Sequence, residues 1–435
     1  DNPLYYLENF RTVLAWVGTH HADLLSRPEQ RELERFTILG TASQALLVRL
    51  VMRRGDQFRL SKLDYPELGV GEGQAVNELV EEGWVEDGPM LDLDTLFRLF
   101  TRAELLQMLD AERERLELPK STPKGLLLEA LRTLELDSVP LRQWWPRCSD
   151  RVVELRCSAL FERVRLMFFG NLRQDWSEFV MQELGHQHYE EVPFSPESRA
   201  FQLRDDVDRY LHLASCREAL EAGVDPETVY PLIPLEEWSN PWLAERRDRL
   251  LYALGHLAER GGQLEFALQV YARSAYSDAL VRSLRVLERL QDYSGAYPLL
   301  ARGLEKPQSA AQRVSLERIQ KRLCKKLDLP APPARPLFEI PLMELKVPAQ
   351  AGLSVEDAAA HALAEPGQPV YYVENWLFNG LFALLCWPAL YAPLRGAFFH
   401  PFHARPADLY REGFVERRQA LFDECLSQLD DDGYR

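Results

Sequence analysis

The sequence of 435 residues predicts a mainly α-helical protein assembled from several modules. Three observations predict this fold class. Apolar residues recur at three- and four-residue spacing along most of the chain, glycine or proline ends most of these runs, and the stretch from about 247 to 303 repeats the pattern of a helix pair. Changes of pattern along the chain predict domains of residues 1–92, 93–140, 141–330 and 331–435.

Composition and charge narrow the classes of function. The chain is 46% hydrophobic and 27% charged, as is usual for a soluble globular protein, and its net charge is -16. That charge argues against a molecule that coats DNA or an acidic membrane with its whole surface, but it leaves room for local basic patches. Six scattered cysteines without a CxxC motif, the lack of an N-terminal signal peptide and the lack of a convincing membrane helix predict a cytoplasmic protein, nucleoid-associated in a bacterium or nuclear in a eukaryote.

Residues 1–92 show three helical patterns, and a short extended segment, FRLSKL (58–63), follows them. A further helix over 71–83 and the strand-like WVED complete an order that resembles a winged-helix unit. The glutamates of the 71–83 helix would repel phosphate, so we expect no reading of bases by that helix. The basic residues before it could contact phosphates or form a solvated face. These basic candidates are Arg53, Arg54, Arg59 and Lys62.

Residues 93–140 contain a helix pair with clear start signals. Thr101 and Glu104 have the spacing of a capping box, which places a helix start near residue 102. Pro119 breaks that helix. Thr122 is the N-cap candidate of a second helix, with Pro123 at its first position.

The turn between these two helices combines cations, hydroxyls and the backbone N–H groups of a helix start. Such a combination is suited to binding phosphate. The segment resembles a SAP module, a family that binds the DNA backbone, although an ordinary helical hairpin is the alternative. The candidate phosphate-binding residues are Lys120, Ser121, Thr122 and Lys124.

Residues 141–330 are predicted to be helical. The two helix pairs between about 247 and 303 place Gly255, Ala267 and Tyr271 at small-residue and aromatic positions, and they resemble degenerate tetratricopeptide-type repeats. Such stacks are scaffolds and docking surfaces. A basic helix follows, and its cations share one face, so nucleic-acid contact and a solvated surface both remain open. These cations are Arg318, Lys321, Arg322 and Lys325.

The most hydrophobic stretch of the chain is VYYVENWLFNGLFALLCW (370–387), which predicts a helix buried on every side and ended by Pro388. Glu374 is its only charged residue. Burial of a lone ionised glutamate costs several kcal/mol, so we expect Glu374 to meet either an arginine or a metal cation. The flanking sequence predicts extended structure over FEIPLMELKV (338–347) and a helix over SVEDAAAHALA (354–364) with a serine N-cap.

Three stretches together resemble the Fanconi-associated nuclease family: MFFGNLRQDWSEFVMQELG (167–185), SRAFQLRDDVDRYLHL (198–213) and VYYVENWLFNGLFALLCW (370–387). The winged-helix-like, SAP-like and tetratricopeptide-like segments also follow in the order of that family. The resemblance extends over essentially the whole chain. It implies that residues 331–435 begin an α/β, restriction-endonuclease-like nuclease domain of the VRR type.

The resemblance implies a structure-specific DNA nuclease, a 5′ flap endonuclease with 5′-3′ exonuclease activity, that acts in interstrand crosslink repair. It implies Mg²⁺ or Mn²⁺ as cofactor and branched or flapped DNA, held mainly by its backbone phosphates, as partner. Glu374 matches a metal-ligand glutamate of the family, which makes it the candidate catalytic and metal-binding residue. A non-enzymatic helical-repeat adaptor or DNA-binding scaffold is the alternative.

The rest of the family's metal motif, an aspartate followed by Glu-x-Lys, is not found after Glu374. No lysine follows Lys346, and the only Glu-x-Lys spans Glu344 to Lys346, before the hydrophobic stretch. We therefore expect the sequence to stop inside the nuclease domain. The histidine pairs His186/His188 and His400/His403 lack zinc-site spacing and are interpreted as surface or core residues.

Overall fold

A computed structural model shows a mainly helical fold that divides into two compact units. Unit 1 comprises Asp1–Val207 and Phe399–His403, and unit 2 comprises Asp208–Phe398 and Ala404–Arg435. The predicted domain boundaries do not coincide with this division and remain predictions. The residues that the structure describes are 2–174, 176, 188–307, 309–333, 341–347 and 352–430.

Unit 1 begins with helices that pack through aromatic rings. Phe10, for example, lies 5.1 Å from Phe161 and 5.5 Å from Phe36 between ring centroids. Such contacts stabilise a small core beyond the area that they bury. The α-helices of unit 1 are α1 (Tyr5–His20), α2 (Arg27–Ile38), α3 (Thr41–Val51), α4 (Glu72–Glu81), α5 (Leu93–Leu99), α6 (Arg102–Met108), α7 (Asp110–Arg115), α8 (Lys124–Arg132), α9 (Leu141–Trp144) and α10 (Ser158–Phe169).

An antiparallel three-stranded sheet completes the N-terminal helical unit. Its strands are β1 (Gln57–Arg59), β2 (Val85–Asp87) and β5 (Val152–Leu155), with β5 in the centre. A smaller sheet pairs β3 (Met90–Leu91) with β4 (Val139–Pro140). The prediction that residues 141–330 are helical is therefore wrong for β5. Strand β5 pairs with two strands that lie far away in the sequence, so the residues next to β5 along the chain give no local signal of a strand.

The SAP-like segment forms a compact layer with its own core. Leu96, Leu105, Leu127 and Leu131 are buried together. The predicted capping box is present, since the side chains of Thr101 and Glu104 bond reciprocally at the start of α6. The predicted first helix is interrupted at Leu109 and continues as α7, so it is two short helices rather than one.

Unit 2 contains the predicted helix pairs, and each helix of the pairs contacts the next one along the chain. Close packing depends on Gly255, where a Cβ atom would lie 2.8 Å from Cε1 of Tyr271. Beside them the buried carboxylate of Glu259 accepts hydrogen bonds from Tyr271 and Arg282. The helices up to the linker are α11 (Arg204–Glu221, whose first residues belong to unit 1), α12 (Pro226–Val229), α13 (Pro241–Arg260), α14 (Leu264–Tyr271), α15 (Ser277–Arg289), α16 (Tyr293–Glu305) and α17 (Ala310–Lys326).

After the linker come α18 (Val355–Leu363), α19 (Trp376–Leu385), α20 (Trp387–Leu390) and α21 (Gln419–Ser427). Ser354 caps α18 as predicted, because its hydroxyl accepts from the N–H of Asp357 at 3.0 Å. Residues 341–347 have no regular secondary structure, and residues 338–340 lie outside the described part of the chain. Among the helices of the described residues, none is long and apolar enough to cross a bilayer.

The hydrophobic stretch 370–387 differs from its predicted form. Only α19 and the short α20 are helical there, and the side chains of Trp376 and Phe378 are each 71% exposed. The prediction of a helix buried on every side is wrong. Among the described residues, Phe422 packs against this stretch, with its ring stacked on that of Phe382 at 6.1 Å between centroids.

The buried carboxylate of this region is Asp408. Its oxygens lie 2.8 and 2.9 Å from the guanidinium of Arg418, and both side chains are about as buried as any in the protein, at 1% and 0% exposed. Arg417 adds a third contact at 2.7 Å. The ion pair that we expected for a buried acid therefore exists, but it belongs to Asp408 rather than to Glu374.

Candidate nucleic-acid interface

The turn between α7 and α8 presents part of the predicted phosphate site. The side chain of Lys120 is 70% exposed, and its ammonium lies 3.4 Å from the carboxylate of Asp110. Ser121 is exposed beside it. Thr122 does not cap α8 with its side chain; its hydroxyl donates to the carbonyl of Pro119 at 2.7 Å and closes the turn.

Arg102 holds this turn in place through two hydrogen bonds. Its Nε donates to the carbonyl of Thr122 at 2.9 Å, and a terminal nitrogen donates to the carbonyl of Lys120. Two carbonyls of the turn are thereby held against one planar guanidinium, which directs the side chains of Lys120 and Ser121 outward. Sequence analysis did not select Arg102, since a first-turn arginine carries no signal of a partner some twenty residues ahead.

Lys124 has a structural role that the sequence did not reveal. Its Nζ donates to the carbonyl of Phe100 at 2.7 Å, and Phe100 is the C-cap of α5. A lysine at the carbonyl end of a helix stabilises that end electrostatically. Because this half-buried ammonium is already bonded, we do not expect Lys124 to contact phosphate.

A second group of cations lies around the junction of α3 and β1. Arg53, Arg54 and Lys62 are exposed, and the guanidinium of Arg53 lies 5.4 Å from the ring centroid of Tyr65.

One glutamate of the acidic helix α4, Glu78, has a structural role, because it bonds to residues at the start of α3. A hydrogen bond from the hydroxyl of Ser43 is the main cause that lowers the pKa of Glu78, and the N–H of Gly40 at the start of α3 adds a second bond at 3.0 Å.

Arg59 belongs to the interior and not to the surface. It is 7% exposed, and its guanidinium lies 2.7 Å from Asp150 and 2.9 Å from Glu104. The ring of Phe100 is 4.2 Å away. The selection of Arg59 as a phosphate contact is therefore wrong: an arginine enclosed by two carboxylates and a ring has no face left for DNA.

The pKa values of these groups follow from the contacts. The hydrogen bond from Arg59 is the main cause that lowers the pKa of Glu104 to about 2. Burial alone would raise the pKa of Asp150, but hydrogen bonds from Ser61 and Arg59 outweigh it and lower that pKa. All three charges therefore persist at neutral pH, and the cluster joins β1, α6 and the approach to β5.

The basic face of α17 is only partly available. Arg318, Lys321 and Lys325 are exposed. Arg322 is exposed too, yet it forms a two-pronged pair with Glu288, with N–O distances of 2.6 and 2.8 Å. The bond to Glu288 raises the pKa of Arg322. Arg322 therefore serves chiefly to hold α17 on α15.

Glu374 lies just before α19, not within it. Asn375 adopts φ 58°, in the left-handed region, and so excludes Glu374 from the helix. The carboxylate is exposed and accepts a hydrogen bond from the hydroxyl of Tyr372, which is the main cause that raises the pKa of Tyr372 to about 12. In the described part of the chain, no lysine or arginine lies within ion-pair distance of Glu374.

The donors around Glu374 test whether a metal ion would fit there. A carboxylate is the right ligand type for Mg²⁺, but that ion takes roughly six oxygen ligands. Within the described ranges, no group of three or more histidine, cysteine, aspartate or glutamate side chains could hold a metal. These residues by themselves therefore do not complete a metal site.

The histidine pair 400/403 lies in unit 1 and is a core feature. His400 is buried, and its ring stacks at 4.6 Å on Phe168 and lies 4.2 Å from His403. Burial is the main cause that lowers its pKa, so His400 is neutral at physiological pH. His186 of the other pair lies outside the described residues.

Comparison with known proteins agrees with these modules. The family described as "FAN1, HTH domain" matches residues 4–86, and the family described as "Fanconi anemia-associated nuclease SAP domain" matches residues 90–144. The Fanconi-associated nuclease 1 homolog of Pseudomonas aeruginosa is 44% identical over 435 residues, a match that covers 100% of this chain and 77% of that protein. The homolog of Arabidopsis thaliana is 23% identical over 488 residues, covering 98% of this chain and 54% of the plant protein.

Solved structures give the same answer. The crystal structure of paFAN1 bound to 2nt 5′ flap DNA with gap has a TM-score of 0.84 and 44% identity, and it covers 100% of this chain and 79% of that chain. The complex of paFAN1 with 1nt 5′ flap DNA with gap has a TM-score of 0.83.

The fold and the modules define a mainly helical protein with an N-terminal helix-turn-helix domain followed by a SAP domain. The chain belongs to the Fanconi-associated nuclease family. The predicted family and fold class are thereby confirmed.

Proposed function

We propose that this protein is a metal-dependent DNA nuclease directed to 5′ flaps, with 5′ flap endonuclease and 5′-3′ exonuclease activity, and that it acts in interstrand crosslink repair. The observation that carries the proposal is the likeness to paFAN1 on 5′ flap DNA, which covers 100% of this chain at a TM-score of 0.84. To the described residues we assign the binding and positioning of DNA.

The exposed cations support phosphate binding in an otherwise acidic protein. The net charge of -16 makes general attraction to DNA unfavourable, so affinity must come from local groups. The proposed backbone contacts are Arg53, Arg54, Lys62, Lys120, Ser121, Arg318, Lys321 and Lys325, all of them exposed.

Glu374 is proposed as one ligand of the Mg²⁺ or Mn²⁺ ion. Its support is its match to the family's glutamate and its exposed carboxylate, which has no cationic partner in the described ranges. When bound, such an ion would activate water and neutralise charge on the phosphodiester. In this chain Tyr372 orients the carboxylate through its hydroxyl.

A competition gel-shift experiment tests the proposal against the adaptor alternative. The chain is titrated into a 5′-flapped duplex and into an unbranched duplex of the same length, at the same salt concentration. We expect clear preference for the flap, since a structure-specific binder recognises the branch as well as the backbone. Equal affinity for both DNAs, or no binding, would support the helical-repeat adaptor.

A further inference from the structure

A cavity lies beside Lys120 in the SAP-like part of unit 1. Its volume is about 600 Å³, which falls within the roughly 300–1,000 Å³ that is usual for small-ligand sites. Residues of α6 and α7, of the turn before α8 and of the chain after α9 form its walls. The lining residues are Leu106, Gln107, Asp110, Lys120, Trp145, Pro146 and Arg147.

Trp145 gives the cavity an aromatic wall. Its ring is half-buried and is held edge-on against Phe100, with 6.4 Å between ring centroids. The side chains of Leu106 and Pro146 add apolar surface, and the amide of Gln107 offers both a donor and an acceptor at an exposed position. A flat apolar group with polar edges matches this lining.

Two cations stand at the same cavity. Lys120 and Arg147 are both exposed and both line it. The opposing carboxylate, Asp110, is bonded by Arg113 at 2.7 Å, and this bond is the main cause that lowers its pKa. The contact between Asp110 and Lys120 is an exposed ion pair, a kind that contributes little, so a phosphate can take its place.

We propose that this cavity binds one unpaired nucleotide of a DNA strand, with the base against Trp145 and a neighbouring phosphate between Lys120 and Arg147. The inference rests on the proposed DNA-binding function and adds a single-strand contact to it. Phosphates of an intact duplex would need only the two cations. The aromatic wall of the cavity can stack on the face of a base that has left the duplex, whereas paired bases present only their edges.

The test compares single-stranded with duplex DNA in the complete chain. Fluorescence anisotropy measures the Kd of a labelled short oligothymidylate and of an unbranched duplex for the wild type, Trp145→Leu and Arg147→Gln. Arg142→Gln, an exposed arginine on α9 outside the cavity, is the control for the charge change. We expect Trp145→Leu to weaken oligothymidylate binding by roughly fivefold or more, as for the loss of one base-stacking contact. Arg147→Gln should also weaken it, because a phosphate contact is lost. Trp145→Leu should preserve duplex affinity, because only the base contact is lost, and Arg142→Gln should change neither affinity.

The outcomes separate this inference from the proposed function. Wild-type protein that binds duplex but not oligothymidylate, or an Arg147→Gln variant that keeps full single-strand affinity, would overturn the nucleotide site and leave the DNA-binding function standing. Absence of binding to either DNA would overturn both. Because Trp145→Leu could also loosen the fold, its melting temperature is measured. If it melts at a lower temperature than the wild type, the single-strand affinity of the exposed Arg147→Gln variant tests the nucleotide site instead.

Discussion

The ammonium of Lys124 lies 2.7 Å from the carbonyl oxygen of Phe100, where it closes the end of a preceding helix. Lys120, which lies four residues earlier in the sequence, is 70% exposed. Two lysines that look equivalent in the sequence therefore have different roles, one in the fold and one at the surface. This difference makes the phosphate-binding proposal testable with a matched pair of substitutions.

The first prediction concerns the dependence of DNA affinity on salt. Lys120→Gln should reduce the slope of log affinity against log salt by about 0.9, the value for one lost duplex phosphate contact. Lys124→Gln should leave that slope unchanged and lower the melting temperature instead, because it removes a helix-end bond. Affinities measured over a range of salt concentrations check both. An unchanged slope for Lys120→Gln would show that this turn does not contact the backbone.

The second prediction concerns the buried arginine of β1. Arg59→Gln leaves Glu104 and Asp150 without their shared cation, so it should lower the free energy of unfolding by about 3–5 kcal/mol. Arg54→Gln, an exposed neighbour, should change it by less than about 0.5 kcal/mol. Urea unfolding of the two variants measures this difference. Equal stabilities would mean that the Arg59 cluster does not hold the modules together.

The third prediction follows from the low pKa of Glu104. Since its pKa is about 2 in the folded protein and 4.5 ordinarily, this group stabilises the fold above about pH 4.5. That contribution is lost as the pH falls from there towards 2. Glu104→Gln should therefore destabilise the protein most above pH 4.5, with a difference from wild type that shrinks in acid. Glu129→Gln on the exposed face of α8 is the control, and a gap that is constant with pH would contradict the assignment.

The fourth prediction concerns packing in the helical stack. A methyl group at Gly255 would meet the ring of Tyr271, with the nearest atoms 2.8 Å away, so Gly255→Ala should destabilise unit 2 by roughly 1–3 kcal/mol. Gly380 also lies inside a helix, but nothing stands within 4 Å of its added Cβ. Gly380→Ala should instead stabilise by roughly 0.5–1 kcal/mol. Thermal unfolding compares the two, and the same sign for both would contradict the close approach.

Local signals in the sequence predicted local structure well. The capping box of Thr101 and Glu104 and the serine cap at Ser354 appear where they were expected, because each depends on residues within one helical turn. The helix pairs, and the family to which the chain belongs, were also predictable.

Features that depend on distant partners could not be predicted. Arg59 resembled surface charge because Glu104 and Asp150, its partners, lie far along the chain. Strand β5 depends on neighbours that lie on the far side of the SAP segment. The exposure of α19 was not predicted, because a hydrophobic sequence is buried only where another surface is present to cover the helix.

The role of Glu374 tests the central claim most directly. Glu374→Gln in the intact protein is compared with wild type and with Glu365→Gln, a nearby exposed glutamate, for Mg²⁺- or Mn²⁺-dependent cleavage of 5′-flapped DNA and for binding of the same DNA. The proposal predicts that Glu374→Gln abolishes cleavage and keeps normal binding, while Glu365→Gln changes neither. Cleavage by Glu374→Gln at the wild-type rate would contradict it.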